Sequence, residues 1–244
     1  ITYRKDIGLT GAHLFVDPDA AALAERQPGR LRQSGVRANA KGEDHDVGGM
    51  NLARLGLDVD RAAGGGLETG HAVAERFRSL GWRVITVSRS PIPLGCPRSQ
   101  EHNTHFCMDL SDLSQIGQMV DMLRPMLVGG KLHALVNNAG VSPKGPGGTR
   151  VNSLTTDMQT WQEMYNTNFF APLALTRGFA QELSTAHGSV VNLCSIAGYR
   201  VHPFAGSAYA SSKAALASLT REMANDMAPL NVRVNAIAPG EIDT

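Results

Sequence analysis

Residues 189–237 read SVVNLCSIAGYRVHPFAGSAYASSKAALASLTREMANDMAPLNVRVNAI, and this stretch decides the fold. Ser189–Leu193 reads as a strand, Tyr209–Met227 as a helix and Val232–Ile237 as a second strand. The same alternation continues toward the N-terminus. Asp157–Leu183 reads as a long helical region with a kink at Pro172, Leu132–Val136 (LHALV) as a strand, and Leu113–Leu127 as a helix. Arg83–Val87 (RVITV) is a short β-branched strand. Before it, His71–Leu80 (HAVAERFRSL) places Val73, Phe77 and Leu80 on one helical face, and Gly81 stops the helix. Strands that alternate with helices imply right-handed crossovers, hence an α/β fold with a doubly wound parallel sheet covered on both faces. In such sheets ligands sit beyond the carboxyl ends of the strands, which is where the polar clusters of this chain fall.

Chemistry concentrates in the same stretch. In Tyr209-Ala-Ser-Ser-Lys213 the tyrosine and lysine are four residues apart. That spacing puts them on one helix face, roughly 5–6 Å apart at Cβ. A cation there is expected to lower the tyrosine pKa from about 10 and make Tyr209 a general acid/base near neutral pH. Read alone, the pair is more often an exposed aromatic–cation contact, since such spacing occurs often by chance. Ser195 follows the Val190–Leu193 run, where its hydroxyl either bonds a substrate oxygen or closes a turn. Asn168 lies within the long helical region, and Asn137-Asn-Ala-Gly140 closes the Leu132 strand. Small residues and amides at a strand end let a ligand approach the backbone.

As a set, these motifs resemble the short-chain dehydrogenase/reductase family in its compact single-domain form. Asn137-Asn-Ala-Gly140, Asn168, Ser195-Ile-Ala-Gly198, Tyr209-xxx-Lys213 and Pro239-Gly-Glu-Ile-Asp-Thr244 occur in the family's order, and the resemblance covers about residues 70–244. It implies a Rossmann-like three-layer α/β/α fold. It also implies hydride transfer between a nicotinamide cofactor and a small carbonyl or alcohol substrate, in a homodimer or homotetramer built through the long helices. By position, Tyr209 is the proton donor or base, Lys213 lowers its pKa and holds the nicotinamide ribose, Ser195 orients the substrate oxygen, and Asn168 holds a water of the proton relay. Pro239, Gly240 and Thr244 match the segment along the nicotinamide half. Asp109 matches the acid near the adenine ring, and Asn138, Ala139 and Gly140 match the loop beside the adenosine. Strand Arg83–Val87 is followed by Ser88-Arg89 and no acid, so Arg89 is placed to pair with a 2′-phosphate. The expected cofactor is therefore NADP(H) rather than NAD(H).

The first glycine of the family's cofactor loop aligns with Gly64 and the last with Gly70, just before the helix at His71. Glu68 stands where a bare backbone should approach the pyrophosphate. One like-charge pair there costs about 4 kcal/mol at 4 Å and an effective dielectric near 20. Upstream, Leu57-Asp-Val-Asp-Arg61 is too charged for a central parallel strand. The expected organisation is an atypical extension over residues 1–49, loop or disordered apart from a short helix at Asp17–Glu25. The dehydrogenase domain then spans 50–244, incomplete at both ends. A shifted reading frame upstream of about Gly70 would produce this break, and the chain stops at Thr244, short of the family's last elements. The competing expectation is a non-catalytic relic that keeps the fold without binding cofactor.

Composition supports a small-molecule enzyme lineage. Among 244 residues, 23 Lys plus Arg against 22 Asp plus Glu removes the electrostatic case for nucleic acid or anionic membrane. No run is apolar enough for a spanning helix, and the first 30 residues hold no signal-peptide core. Three cysteines form no disulfide framework, so a reducing, cytoplasmic setting is expected. His102-x-x-His105 with Cys107 is too small a set for a metal site, and no metal is expected.

Overall fold

The computed structural model of the chain describes residues 11–16, 65–91 and 104–240. Its strands are β1 (Gly11–Val16), β2 (Arg83–Ser88), β3 (His105–Cys107), β4 (Ala134–Asn137), β5 (Ser189–Leu193) and β6 (Arg233–Ile237). Its helices are α1 (Gly65–Ser79), α2 (Leu113–Leu123), α3 (Met158–Tyr165), α4 (Ala171–Gly178), α5 (Ala180–Ala186) and α6 (Ser207–Met227). The strands form one sheet in the order β3-β2-β1-β4-β5-β6.

Period-two alternation sorts the core onto the two faces of that sheet. Ile85, Val87, Leu135 and Val190 point to one side, against Ile116, Met119, Val120 and Leu123 of α2, Leu175 of α4 and Leu183 of α5. Val84, Ala134, Val136 and Val191 point to the other, against Val73, Ala74 and Phe77 of α1. The result is the doubly wound, three-layer α/β/α arrangement of Rossmann type. Gly81, at φ +84°, ends the α1 turn as expected, while Leu80 is exposed rather than on the buried face.

Pairing is parallel between β2 and β3, β4 and β5, and β5 and β6. β1 departs from this. It runs antiparallel to both neighbours, with Gly11 opposite Ser88 and Val16 opposite Arg83 on one side, and Ala12 opposite Asn137 on the other. Loop was expected here, so the six residues GAHLFV correct the reading of the N-terminal segment. Without them β2 and β4 would face each other across unpaired N–H and C=O groups in the middle of the sheet, and a short extended segment satisfies both edges. The expected Asp17–Glu25 helix and the charged Leu57–Arg61 segment lie outside the described residues.

Two helix boundaries also move. α1 starts at Gly65, not His71, because Leu67-Glu68-Thr69 contains no breaker and leucine and glutamate favour helix. The Asp157–Leu183 region is three helices rather than one kinked rod. A π-helical turn over Asn166–Phe170 separates α3 from α4, and Pro172 sits at the start of α4.

Candidate active site

The carboxyl ends of β4 and β5, the π-helical turn and the first turns of α6 converge on one place. α6 begins at Ser207, so Tyr209 and Lys213 lie in its first two turns, on one face. Ser195 follows β5 and starts a short turn over Ile196–Gly198, where its Oγ accepts from the Ala197 N–H at 3.2 Å. The Ser195 side chain lies close enough to that of Tyr209 to influence its acidity.

Asn168 is fully buried and bonded at both ends of its amide. Its Oδ1 accepts from Val141 N at 2.8 Å, and its Nδ2 donates to Val141 O at 3.1 Å and to Ser212 Oγ at 3.0 Å. Ser212 Oγ donates in turn to Tyr209 O at 2.8 Å. The π-turn makes this reach possible by adding one residue to the helical circuit. Pro172, four residues after Asn168, has no N–H, so the Asn168 carbonyl has no helical donor at its usual i+4 position.

Lys213 is buried, and its Nζ donates to Leu193 O at 2.5 Å and lies 5.9 Å from the centre of the Tyr209 ring. Gly140 borders the same ammonium. A Cβ on Gly140 would stand 3.3 Å from Lys213 Nζ and 3.6 Å from Asn168 Oδ1. Gly198 is tighter still, with a Cβ 2.8 Å from Ala214 N and 3.0 Å from the Lys213 carbonyl carbon. Those neighbours are backbone and cannot swing away. Gly198→Ala is therefore expected to lower stability by about 1–3 kcal/mol, because the turn carrying Ser195 is pushed off α6. Urea denaturation measures the loss, and an unchanged midpoint would refute the close approach.

Electrostatics differ from the sequence expectation. Burial raises the Tyr209 pKa above its usual value; the nearby Ser195 side chain opposes the rise and the Cys194 thiolate charge adds to it. Burial pulls the Lys213 ammonium down to about 8. Lys213 thus does not depress the tyrosine in the free chain, and the expected direction is corrected. Helical spacing carries no information about burial, and here loss of solvent outweighs a cation that is itself weakened.

The remaining sequence-marked residues are placed as follows. Asn138 and Ala139 lead from β4 to Gly140, half-buried and buried respectively. Asn137 donates to Asn192 Oδ1 at 2.8 Å, and Asn192 donates to Thr220 Oγ1 at 2.9 Å, so a buried polar chain ties β4 and β5 to α6. Pro239 O accepts from Ile196 N at 3.0 Å, which holds the segment after β6 beside the Ser195 turn, with Gly240 next to Ile196. Arg89 is exposed in the turn after β2. Asp109 follows β3, its Oδ1 accepting from Ser111 N and Ser111 Oγ, both at 2.8 Å. Strand order puts these two across β1 from the tyrosine cluster. Gly70 is buried inside α1 rather than in a loop before it. Gly64 and Thr244 lie outside the described residues. Val141, Ser212, Leu193 and Asn192 were not singled out from sequence. Only Ser212 carried a signal, as a small hydroxyl inside the tyrosine–lysine motif.

A family model described as short chain dehydrogenase matches residues 62–244. The chain belongs to the short-chain dehydrogenase family. This short-chain dehydrogenase is 54% identical over 176 residues to Protein FixR of Bradyrhizobium diazoefficiens, covering 72% of the chain and 63% of that protein. It is 31% identical over 175 residues to the short-chain dehydrogenase PC-15 of Penicillium crustosum, covering 72% of the chain and 62% of that protein. It therefore spans under two thirds of the length of these curated relatives. Among solved structures it resembles a short-chain dehydrogenase/reductase family oxidoreductase from Brucella ovis in complex with a partially ordered NAD, with 57% identity and a TM-score of 0.68, over 72% of this chain and 79% of that one.

Proposed function

We propose that the chain is an oxidoreductase that interconverts a small carbonyl compound and its alcohol, with Tyr209 as general acid/base and NADP(H) as the preferred cofactor. The observation that carries this is the meeting of the Tyr209 and Ser195 side chains beside the buried Lys213, whose Nζ is 5.9 Å from the tyrosine ring. The nicotinamide end of a dinucleotide fits these residues. Lys213 has three N–H donors against the Leu193 carbonyl, and a ribose diol supplies further acceptors. The missing Cβ of Gly140 keeps the approach to that ammonium open.

When bound, the dinucleotide supplies the two-electron hydride equivalent that no side chain here possesses. In carbonyl reduction, Ser195 Oγ orients the substrate oxygen and the Tyr209 hydroxyl gives it a proton. Tyr209, kept neutral by burial, holds that proton across neutral pH. The Asn168 carbonyl, without an i+4 donor, holds the water through which the phenol is reprotonated. Arg89, with no acid at the end of β2, meets the 2′-phosphate, and Asp109 and Asn138 line the adenosine side. The relative carrying NAD makes the preference a quantity to measure. NADPH is expected to bind about tenfold tighter than NADH, as a bidentate arginine–phosphate pair provides.

The same titration, by nucleotide fluorescence or calorimetry, decides against a rival reading in which the fold binds no cofactor. Gly70 favours that rival, since its N–H is spent inside α1. Saturable binding of either nucleotide supports the oxidoreductase; none sinks it. The setting that goes with the proposal is cytoplasmic, in a homodimer or homotetramer formed through α3 to α6. No described helix is long and apolar enough to cross a membrane.

A further inference from the structure

His105 belongs to a motif that the active site leaves unused, and its surroundings show what it does. It opens β3 and pairs in register with Thr86 of β2. Its Nδ1 is 2.8 Å from Thr86 Oγ1, and its Nε2 is 2.9 Å from Ser90 O and 3.4 Å from Ser88 Oγ. A carbonyl only accepts, so Nε2 carries a proton toward Ser90, while Nδ1 pairs with the Thr86 hydroxyl. Both nitrogens are then engaged, with neither left for a metal. Ser88 Oγ also donates to Ser90 O, at 2.9 Å. Two side chains thus hold one carbonyl and fold the chain back as it leaves β2. The residue between Ser88 and Ser90 is Arg89.

We infer that His105 is a positioning residue for cofactor choice: it fixes the Ser88-Arg89-Ser90 turn from which Arg89 meets a 2′-phosphate. This rests on the oxidoreductase reading above. Arginine recognises phosphate as a planar fork, so its strength depends on the direction from which it arrives. Arg89 is exposed and stands on this turn, so the turn fixes the point from which its side chain starts. A turn stapled to two strands before binding leaves less to be ordered on binding. NADH lacks the 2′-phosphate and gains little from that order.

The test titrates NADPH and NADH into the full chain and its His105→Phe, Thr86→Val, Arg89→Met and His105→Phe/Arg89→Met variants. His105→Phe is expected to weaken NADPH about tenfold and NADH less than about threefold. Thr86→Val is expected to act in the same direction with a smaller change. The double variant is expected to bind NADPH no more weakly than Arg89→Met alone, since His105 acts through the turn that carries Arg89. Equal weakening of both nucleotides, or a His105 effect that persists in full without Arg89, overturns the inference. If His105→Phe fails to fold by circular dichroism, Thr86→Val decides, and an unchanged NADPH:NADH ratio there overturns it. Wild-type chain that binds neither nucleotide overturns the oxidoreductase reading itself, whereas wild-type binding with an unaltered ratio in the variants removes only the role of His105.

Discussion

Tyr209→Phe is expected to lower kcat by roughly 10²–10⁴-fold, the usual contribution of a positioned general acid, while cofactor affinity stays within about twofold. The substitution removes one oxygen and keeps the ring. Ring packing in the first turns of α6 survives, and the stability loss is about 1 kcal/mol, that of one hydroxyl's polar interactions. What disappears is the proton that the carbonyl oxygen receives. The pH dependence follows from the raised tyrosine pKa. Carbonyl reduction needs the neutral phenol, so its rate should stay level through neutral pH and fall only as pH rises through that raised value. Alcohol oxidation needs the phenolate and should rise over the same range. Single-turnover kinetics with NADPH and a reactive diketone, run across pH, measure both limbs. Wild-type turnover retained in Tyr209→Phe would remove the assigned role, and a reduction limb that falls already below the ordinary tyrosine range would contradict the effect of burial.

The contrast between the tyrosine's place and its acidity shows what a sequence carries and what it does not. Ser189–Leu193 was legible because Val190, Val191 and Leu193 make a short apolar run that fits a strand and nothing longer. Tyr209 and Lys213 were legible because helical spacing alone puts them on one face. Their acidities were not, since these depend on burial within the fold, and for Lys213 on Leu193 and Gly140, which lie elsewhere in the chain. The π-turn at Asn166–Phe170 left no trace in the apolar pattern, because a shift of hydrogen-bond partner by one residue changes no side chain's character. Pro172 marked the region, but for a bend rather than for a released carbonyl. At the N-terminus the failure was of another kind. Gly11–Val16 is one short run among polar neighbours, and it becomes a strand only because β2 and β4 leave a slot to be filled. No local signal specifies the antiparallel direction.

Lys213→Met carries the second large effect, and its sign opposes its functional consequence. The Lys213 ammonium titrates at about 8 in the folded chain against 10.5 in the unfolded one. Below pH 8 both states are protonated, and the folded state bears the full penalty of a buried charge. Between 8 and 10.5 the unfolded chain binds more protons, so stability rises with pH as the penalty is relieved. The shift corresponds to a change on the order of 3 kcal/mol across that window. Tyr209 and Cys194, whose thiol burial raises to about 11, run the other way: their neutral folded forms add stability that drains as pH rises through their folded pKa values. Both groups remain in the variant, so the difference between wild type and Lys213→Met reports the lysine together with its coupling to Cys194, which lies above the lysine's own window. Urea melts at half-unit steps from pH 7 to 10.5 should show the variant gaining most below pH 8 and its advantage shrinking above it. A difference that stays flat across the window would mean that Lys213 is not held as a desolvated cation. The stabilised variant is nonetheless expected to lose turnover, because no other described residue brings a cation to Gly140 and the tyrosine ring. A charge that destabilises the fold at neutral pH is kept where only the reaction uses it, which is the stability–activity opposition expected of a functional site rather than of a packing residue.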